Sequence, residues 1–194
     1  MKQRYLLKDP IIAKRELYGE ICGFEGLVYR SFDRKIHKSP FNKTNIPEGV
    51  PVIGGIDFGV NDPFVIIWAC RVGDVWHIVD EYYYKGPTRA FADHVDAVKR
   101  GHPLWKRTLR YWYDPSGKQG ATELVRAGLA SANRILKARR QQAVGREWVK
   151  ARIDLVTSLL LAQTAEGQPL LQISPTCSNL IFEIELLEVL TRDD

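Results

Sequence analysis

Three short runs of apolar and β-branched residues, Val52–Phe58, Phe64–Cys70 and Val75–Glu81, follow one another with only Gly59–Pro63 and Arg71–Asp74 between them. Runs of this length bounded by turn residues read as strands. Gaps this short cannot hold a crossover helix, so the three strands must fold back on one another as an antiparallel meander. Beyond them the period changes. Pro87–Val98 is predicted helical, with Phe91, Val95 and Val98 on one face. Leu109–Tyr113 is a fourth strand that runs into Asp114-Pro115-Ser116-Gly117. A helix over Ala121–Ala127 stops at Gly128, and a long amphipathic helix over Arg146–Leu161 carries Val149, Ile153, Val156 and Leu160 at helical spacing. Leu170–Ile173 is a short strand, and Ser178–Leu190 is a last helix for which Ser178 offers an N-cap. A meander followed by alternating helices and strands predicts an α/β domain whose sheet is of mixed direction, flanked by helices.

The first 50 residues have a different texture. Ile11–Ile21 suits a short helix, and Gly23, Gly26, Pro40, Pro47 and Gly49 punctuate the rest, so 1–50 reads as a lead-in and 51–194 as the domain proper. With 45% hydrophobic residues in 194, the chain can bury one ordinary core. Its longest apolar stretch, Ile153–Ala162, is broken by Asp154, Thr157 and Ser158, well short of the roughly 20 residues a membrane span needs. The basic N-terminus has no apolar stretch behind it and does not read as a secretion signal. Cys22, Cys70 and Cys177 are scattered and without Cys-x-x-Cys pairing, which argues against a zinc ribbon or a disulfide scaffold and suits a reducing compartment. His37, His77, His94 and His102 show no metal-ligand spacing, and Trp68, Trp76, Trp105, Trp112 and Trp148 read as core or interface residues.

The formal net charge of +5 hints at a polyanionic partner. Basic residues gather at Arg34, Lys35, His37 and Lys38, at Lys137, Arg139 and Arg140, and again at Arg146, Lys150 and Arg152. Each such run also suits a solvated face. The acids are more telling. Asp57 closes the first strand and Asp114 the fourth, and a buried apolar strand ends in an acid to cap a helix, pair with a base or bind a cation. If the two strands lie side by side, both carboxylates leave the sheet at one edge and can share hard divalent cations. The same positions suit plain turn formers, Asp114 being followed by Pro and Ser. Spacing leaves both readings open. Asp80-Glu81, at the end of the third run, reads as a solvated strand end.

Gly55-Ile56-Asp57-Phe58-Gly59-Val60-Asn61-Asp62-Pro63 followed by an apolar strand resembles the first nuclease motif of the large terminase subunits of tailed double-stranded DNA bacteriophages. Tyr113-Asp114-Pro115-Ser116-Gly117, then Glu123-Leu124 and Gly128-Leu129, resembles the second. Upstream, Glu16–Glu20 and Gly26–Phe32 are similar to the lead-in that joins motor to nuclease, and downstream Cys177–Glu185 is similar to the helix before the third acidic motif. The four pieces run in order through nearly the whole chain.

That resemblance implies an RNase H-like fold and a metal-dependent endonuclease that cuts concatemeric viral DNA during packaging. It implies Asp57 and Asp114 as ligands of a two-metal Mg2+ or Mn2+ site, and Asp62 as an auxiliary acid or a turn residue. It also implies backbone contacts to double-stranded DNA, expected at Lys137, Arg139 and Arg140. The implied partners are a motor domain, a small terminase subunit and a portal, in the cytoplasm of an infected bacterial host. The family's third carboxylate lies on a C-terminal helix; here Asp193 and Asp194 stand at the chain end, and the expectation is a chain that stops before that motif. Ser116-Gly117-Lys118-Gln119 lacks the first glycine and the hydroxyl residue of a phosphate loop, so the motor is not expected within these residues. Two rival classes remain. Ile56–Gly59 also resembles the first phosphate motif of actin- and sugar-kinase-like phosphotransferases, though a second Asp-x-Gly loop is missing, and an incomplete acid set suits a non-catalytic DNA-binding or docking module.

Overall fold

The computed structural model describes residues 27–59, 63–87, 89–114, 117–138 and 146–186. The expected helix over Ile11–Ile21 lies outside them. The meander is present as β1 (Val52–Asp57), β2 (Phe64–Val72) and β3 (Val75–Tyr84), paired antiparallel in sequence order. Helix α1 (Phe91–Gly101) follows, then a single helical turn α2 (Leu104–Arg107), β4 (Thr108–Tyr113), α3 (Lys118–Arg126), β5 (Ile135–Lys137), α4 (Arg146–Leu161), β6 (Leu171–Ile173) and α5 (Ser178–Leu186). The described residues form a six-stranded sheet in the order β5-β4-β1-β2-β3-β6. β4 pairs parallel to β1, β5 to β4 and β6 to β3, so only β2 runs against the rest. The mixed α/β sheet with flanking helices is therefore as expected.

Alternation along the central strands sorts the two faces. Val52, Gly54 and Ile56 of β1 stand opposite Cys70, Trp68 and Ile66 of β2 and are buried with them. Val95 and Val98 of α1, Leu104, and Ala121 and Leu124 of α3 cover this face in one large core. α1 begins at Phe91 and not at Pro87, because Ala90 is extended and Pro87 belongs to the turn whose carbonyl accepts the Tyr84 hydroxyl. Its Asp93 sits in the first turn and Lys99 and Arg100 in the last, matching the helix dipole. α3 ends as the sequence implies, with Gly128 at φ +81° and the Leu129 and Gly128 amides bonded back to Leu124 and Val125. Ile173, Cys177, Ile181 and Ile184 form a smaller core on the opposite face with Ile78, Tyr29 and Phe32. Cys70 and Cys177 are free, buried thiols whose pKa values burial pushes up to about 11 and about 12.

One backbone approach fixes the centre of the sheet. Gly54 faces Tyr111 across β1 and β4, and a Cβ at 54 would lie 2.3 Å from the fully buried Tyr111 ring. Trp68 Nε1 donates to the Tyr111 hydroxyl at 3.4 Å, and burial raises that phenol's pKa.

Asp80 and Glu81 correct the expectation of a solvated strand end. β3 continues to Tyr84, and the two acids are only 3% and 9% exposed. The β2–β3 register shifts between Trp68 and Ala69: Trp68 faces Asp80 while Ala69 faces Ile78, leaving Val79 as an extra residue. Before this bulge His77 lies on the Cys70 side of the sheet; after it, Asp80 and Tyr82 take that side, and Glu81 and Tyr83 point to the other. Asp80 accepts from His102 Nδ1 at 2.8 Å and Lys43 Nζ at 3.2 Å. Burial works to raise its pKa, but those two donors outweigh burial and hold the carboxyl below its ordinary range. The four histidines take structural places: His37 Nε2 donates to the Leu160 carbonyl, His77 pairs with Ser39 and His94 with the Tyr82 hydroxyl. Burial lowers the pKa of both His77 and His94.

Residues 27–50 are bound to the sheet at several points. The Arg107 guanidinium donates to the carbonyls of Ile46, Pro47 and Val50, Ser39 N–H donates to Ile173, and Arg34 forms an ion pair with Glu185 of α5. Among the described residues, no helix is long and apolar enough to cross a membrane.

Two outcomes test this account. Gly54→Ala should lower stability by about 2–3 kcal/mol in urea unfolding, since the added methyl overlaps a ring with nowhere to go; an unchanged midpoint would contradict the close approach. Asp80→Asn should cost about 3 kcal/mol at pH 7 by leaving its donors without their charge. Because folding depresses the Asp80 pKa, its contribution is present above the unfolded value and is lost as pH falls through the folded one. The gap between wild type and variant should therefore narrow below about pH 4, and a gap independent of pH would refute the assignment.

Candidate functional site

In a sheet of mostly parallel strands, the carboxyl ends gather at one edge, where loops can converge on a ligand. β1 and β4 are adjacent and parallel, with Ile56 facing Tyr113, so the next residue on each strand is Asp57 and Asp114. Neighbouring strands lie about 4.8 Å apart, so the two carboxylates leave the sheet as a pair. Asp57 is exposed and Asp114 half-buried. The Gly117 amide donates to the Asp114 carbonyl at 2.8 Å, so Asp114 also opens a turn. The turn reading and the site reading describe the same residue.

The pair stands between two hollows. A cleft of about 530 Å3 opens on the face with the smaller core; Asp57, Asp114, Arg152 of α4 and Glu183 of α5 line it above Ile67 and Trp112. A second hollow of about 440 Å3 lies beyond, bounded by the same two aspartates with Phe58, Phe91 and Gln119. Both acids are thus reachable from either side. Arg152 Nη1 lies 3.5 Å from Asp114 Oδ2, and the Tyr83 hydroxyl donates to Glu183 Oε1 at 2.6 Å.

The bulge in β3 shapes this wall. It turns Glu81 toward the start of α5, where Oε1 accepts from the Asn179 amide at 2.8 Å and Oε2 from the Leu180 amide at 2.9 Å. A carboxylate across the sheet, not the expected Ser178, therefore satisfies the first amides of α5 and its positive dipole end. Tyr83, two residues on and on the same face, then holds Glu183. Two successive same-face side chains of β3 dock α5 against the cleft.

Other sequence-derived residues fall differently. Asp62, Arg139, Arg140, Asp193 and Asp194 lie outside the described residues. Lys137 is exposed at the end of β5, and the next residue, Ala138, lines the cleft. In the Arg34–Lys38 group, Arg34 is paired with Glu185 and His37 is buried, while Lys35 and Lys38 are exposed. Glu183 and Arg152 were not singled out by the sequence as site residues. Arg152 was only one of a run of bases. Glu183 carries no signal of its own, since only the packing of α5 selects it from Glu183 and Glu185.

The donor set consists of hard oxygen ligands. Among the described residues, no group of three or more His, Cys, Asp or Glu is placed to hold a metal ion. Two carboxylates without a closed cage suit a cation that keeps several waters and takes further oxygens from a phosphate, as Mg2+ does. A structural zinc or calcium site would need more protein ligands.

A meander continued by parallel strands on both sides, with helices on both faces, is the RNase H-like fold. More particularly, the chain has the fold of phage large terminase nuclease domains. It matches the P22 large terminase nuclease domain with a TM-score of 0.60 at 19% identity, over 88% of this chain and 87% of that one. The nuclease domain of the bacteriophage SPP1 large terminase, solved with bound Mn, matches with a TM-score of 0.58 at 17% identity, over 80% and 79%. The large terminase of a thermophilic bacteriophage matches with a TM-score of 0.59 at 19% identity; it covers 94% of this chain, which spans 43% of that protein. No family model and no curated protein matches the sequence.

Glu81→Gln tests the docking of α5. The amide keeps one acceptor and sets an N–H2 against the helix amides, so it should cost about 1–2 kcal/mol. Hydrogen exchange at Asn179 and Leu180 should accelerate more than exchange in β1. Uniform acceleration across the chain would mean that Glu81 does not hold α5 specifically.

Proposed function

We propose that this chain is the nuclease part of a large terminase subunit, a divalent-metal-dependent endonuclease that cuts concatemeric viral DNA during genome packaging. The observation that carries the reading is the emergence of Asp57 and Asp114 side by side from adjacent parallel strands at the carboxyl edge. These two acids are its metal ligands, and Asp62, five residues after Asp57 in the sequence, is an auxiliary acid or a turn residue. Mg2+ or Mn2+ bound there would supply an activated water and charge stabilisation for the leaving oxygen. The chain's own task is to hold the two carboxylates on rigid strands, so that their oxygens need not reorganise during the reaction.

The substrate under this reading is double-stranded DNA, held by backbone contacts that tolerate sequence. Lys137 at the end of β5 supplies positive charge next to the cleft-lining Ala138, and Arg139 and Arg140 follow it in the sequence. A motor domain, a small terminase subunit and a portal are the partners, in the cytoplasm of an infected bacterium, with residues 1–50 leading in from the motor and 51–194 forming the nuclease. The RNase H-like fold, and the Mn bound in the SPP1 domain of that fold, support this reading.

Asp57→Asn and Asp114→Asn should each abolish Mn2+-dependent nicking of plasmid. An amide keeps the shape of the carboxylate but removes the charge that retains a cation. In chelator Asp57→Asn should be as stable as the parent or slightly more so, since removing one of two neighbouring acids relieves repulsion, and in Asp114→Asn the loss of the weak, exposed Arg152 contact should roughly cancel that gain. Nicking by either variant at the parent rate refutes the site. DNA binding without any nicking in the parent chain would favour a docking module.

A further inference from the structure

Arg152 lines the acid cleft, and the nuclease reading gives it no task. It projects from the second turn of α4 with its Nη1 3.5 Å from Asp114 Oδ2, and its side chain is 60% exposed. Among the described residues that line the cleft, it is the base beside the Asp57–Asp114 pair and Glu183. Neighbouring carboxylates repel one another, and a cation beside them offsets that repulsion. An incoming divalent cation needs the Asp114 oxygens that Arg152 now faces. A buried, tightly gripped ion pair would shut that cation out. A solvent-exposed pair is weak and readily exchanged.

We propose that Arg152 is the resident counter-cation of the cleft, holding Asp114 in the metal-free protein, yielding it to a divalent ion, and then binding a phosphodiester oxygen of DNA. The inference rests on the metal-dependent nuclease reading. Both roles follow from one geometry. With the acids neutralised by a cation, the guanidinium remains on a long, exposed stem in the same cleft, within reach of a phosphodiester oxygen bound beside the metal. A guanidinium's fork of donors matches phosphate oxygens, whereas a lysine would offer only a point charge. Arg152 thus competes with the metal before DNA arrives and cooperates with it afterwards.

The test uses the full chain and its Arg152→Gln and Arg152→Lys variants, with Asp57→Asn as a control for the metal site. Mn2+ binding without DNA is read by the electron paramagnetic resonance of free Mn2+, and KM and kcat are measured on a random-sequence duplex. Arg152→Gln should bind Mn2+ about three- to fivefold more tightly than the parent, the size expected from removing an exposed competing charge. Its KM for duplex should rise about tenfold, with kcat changed less. Arg152→Lys should resemble the parent in Mn2+ affinity and fall between the two in KM. Unchanged or weaker Mn2+ affinity in Arg152→Gln overturns the counter-cation role, and an unchanged KM overturns the phosphate role. If the parent and Asp57→Asn bind Mn2+ alike, the metal reading itself falls and takes this inference with it. If only the Asp57 variant loses Mn2+ while Arg152→Gln matches the parent in both measurements, the metal reading stands and the inference fails alone.

Discussion

The parallel pairing of β1 with β4 is the constraint on which the rest of the structure depends. It requires the two backbones to meet where Tyr111 stands opposite position 54, and a glycine there lets the ring lie across β1. Any side chain at 54 would push β4 outward and carry Asp114 away from Asp57. The ring is fixed in turn by the Trp68 indole across β1 and by complete burial. A pair of acids at a sheet edge is thus set by a contact inside the sheet, three residues earlier on each strand. α1 and α3 cover the core on that face, while the hollows beside the two acids stay open at the edge.

Much of this frame was legible in the sequence because each long element carries its own period. The three meander strands, α4 and β4 lie within a few residues of their expected bounds, and the antiparallel order followed from the shortness of two turns. β5 escaped notice since Ile135–Lys137 is too short to show alternation. α2 is a single turn, closed when Thr108 Oγ1 donates to the Leu104 carbonyl. Asp80 and Glu81 were misread because strict alternation cannot include a bulge. Only the register against β2 reveals Val79 as an extra residue and assigns the two acids to opposite faces.

The candidate site was legible only where it coincides with strand ends. Asp57 and Asp114 are marked by the apolar runs they terminate. Arg152 and Glu183 come from helices, and which helical residue meets the cleft depends on how the helix is rotated. For α5 that rotation is decided by Glu81 and Tyr83, 98 and 100 residues away in the chain. Charge was equally opaque. Lys43, Arg34 and Arg107 look like free bases in the sequence, yet each is engaged with a carboxylate or with backbone carbonyls. A net charge cannot distinguish bases that face a partner from bases that hold the fold together.

Phe58 follows Asp57 directly, and its ring occupies the space where a Cβ at Gly117 or Gly120 would fall, at 2.3 Å and 2.5 Å. The loop leaving the first acid is therefore seated on the start of the helix that follows the second. Neither loop can be remodelled by itself: a larger residue at 117 or 120 needs a smaller one at 58, and a smaller one at 58 leaves Gly120 to weaken the first turn of α3 without the ring that packs on it. The two acidic motifs, 57 residues apart in the chain, are thereby joined through one ring, and a change at any of these three positions is felt at both acids.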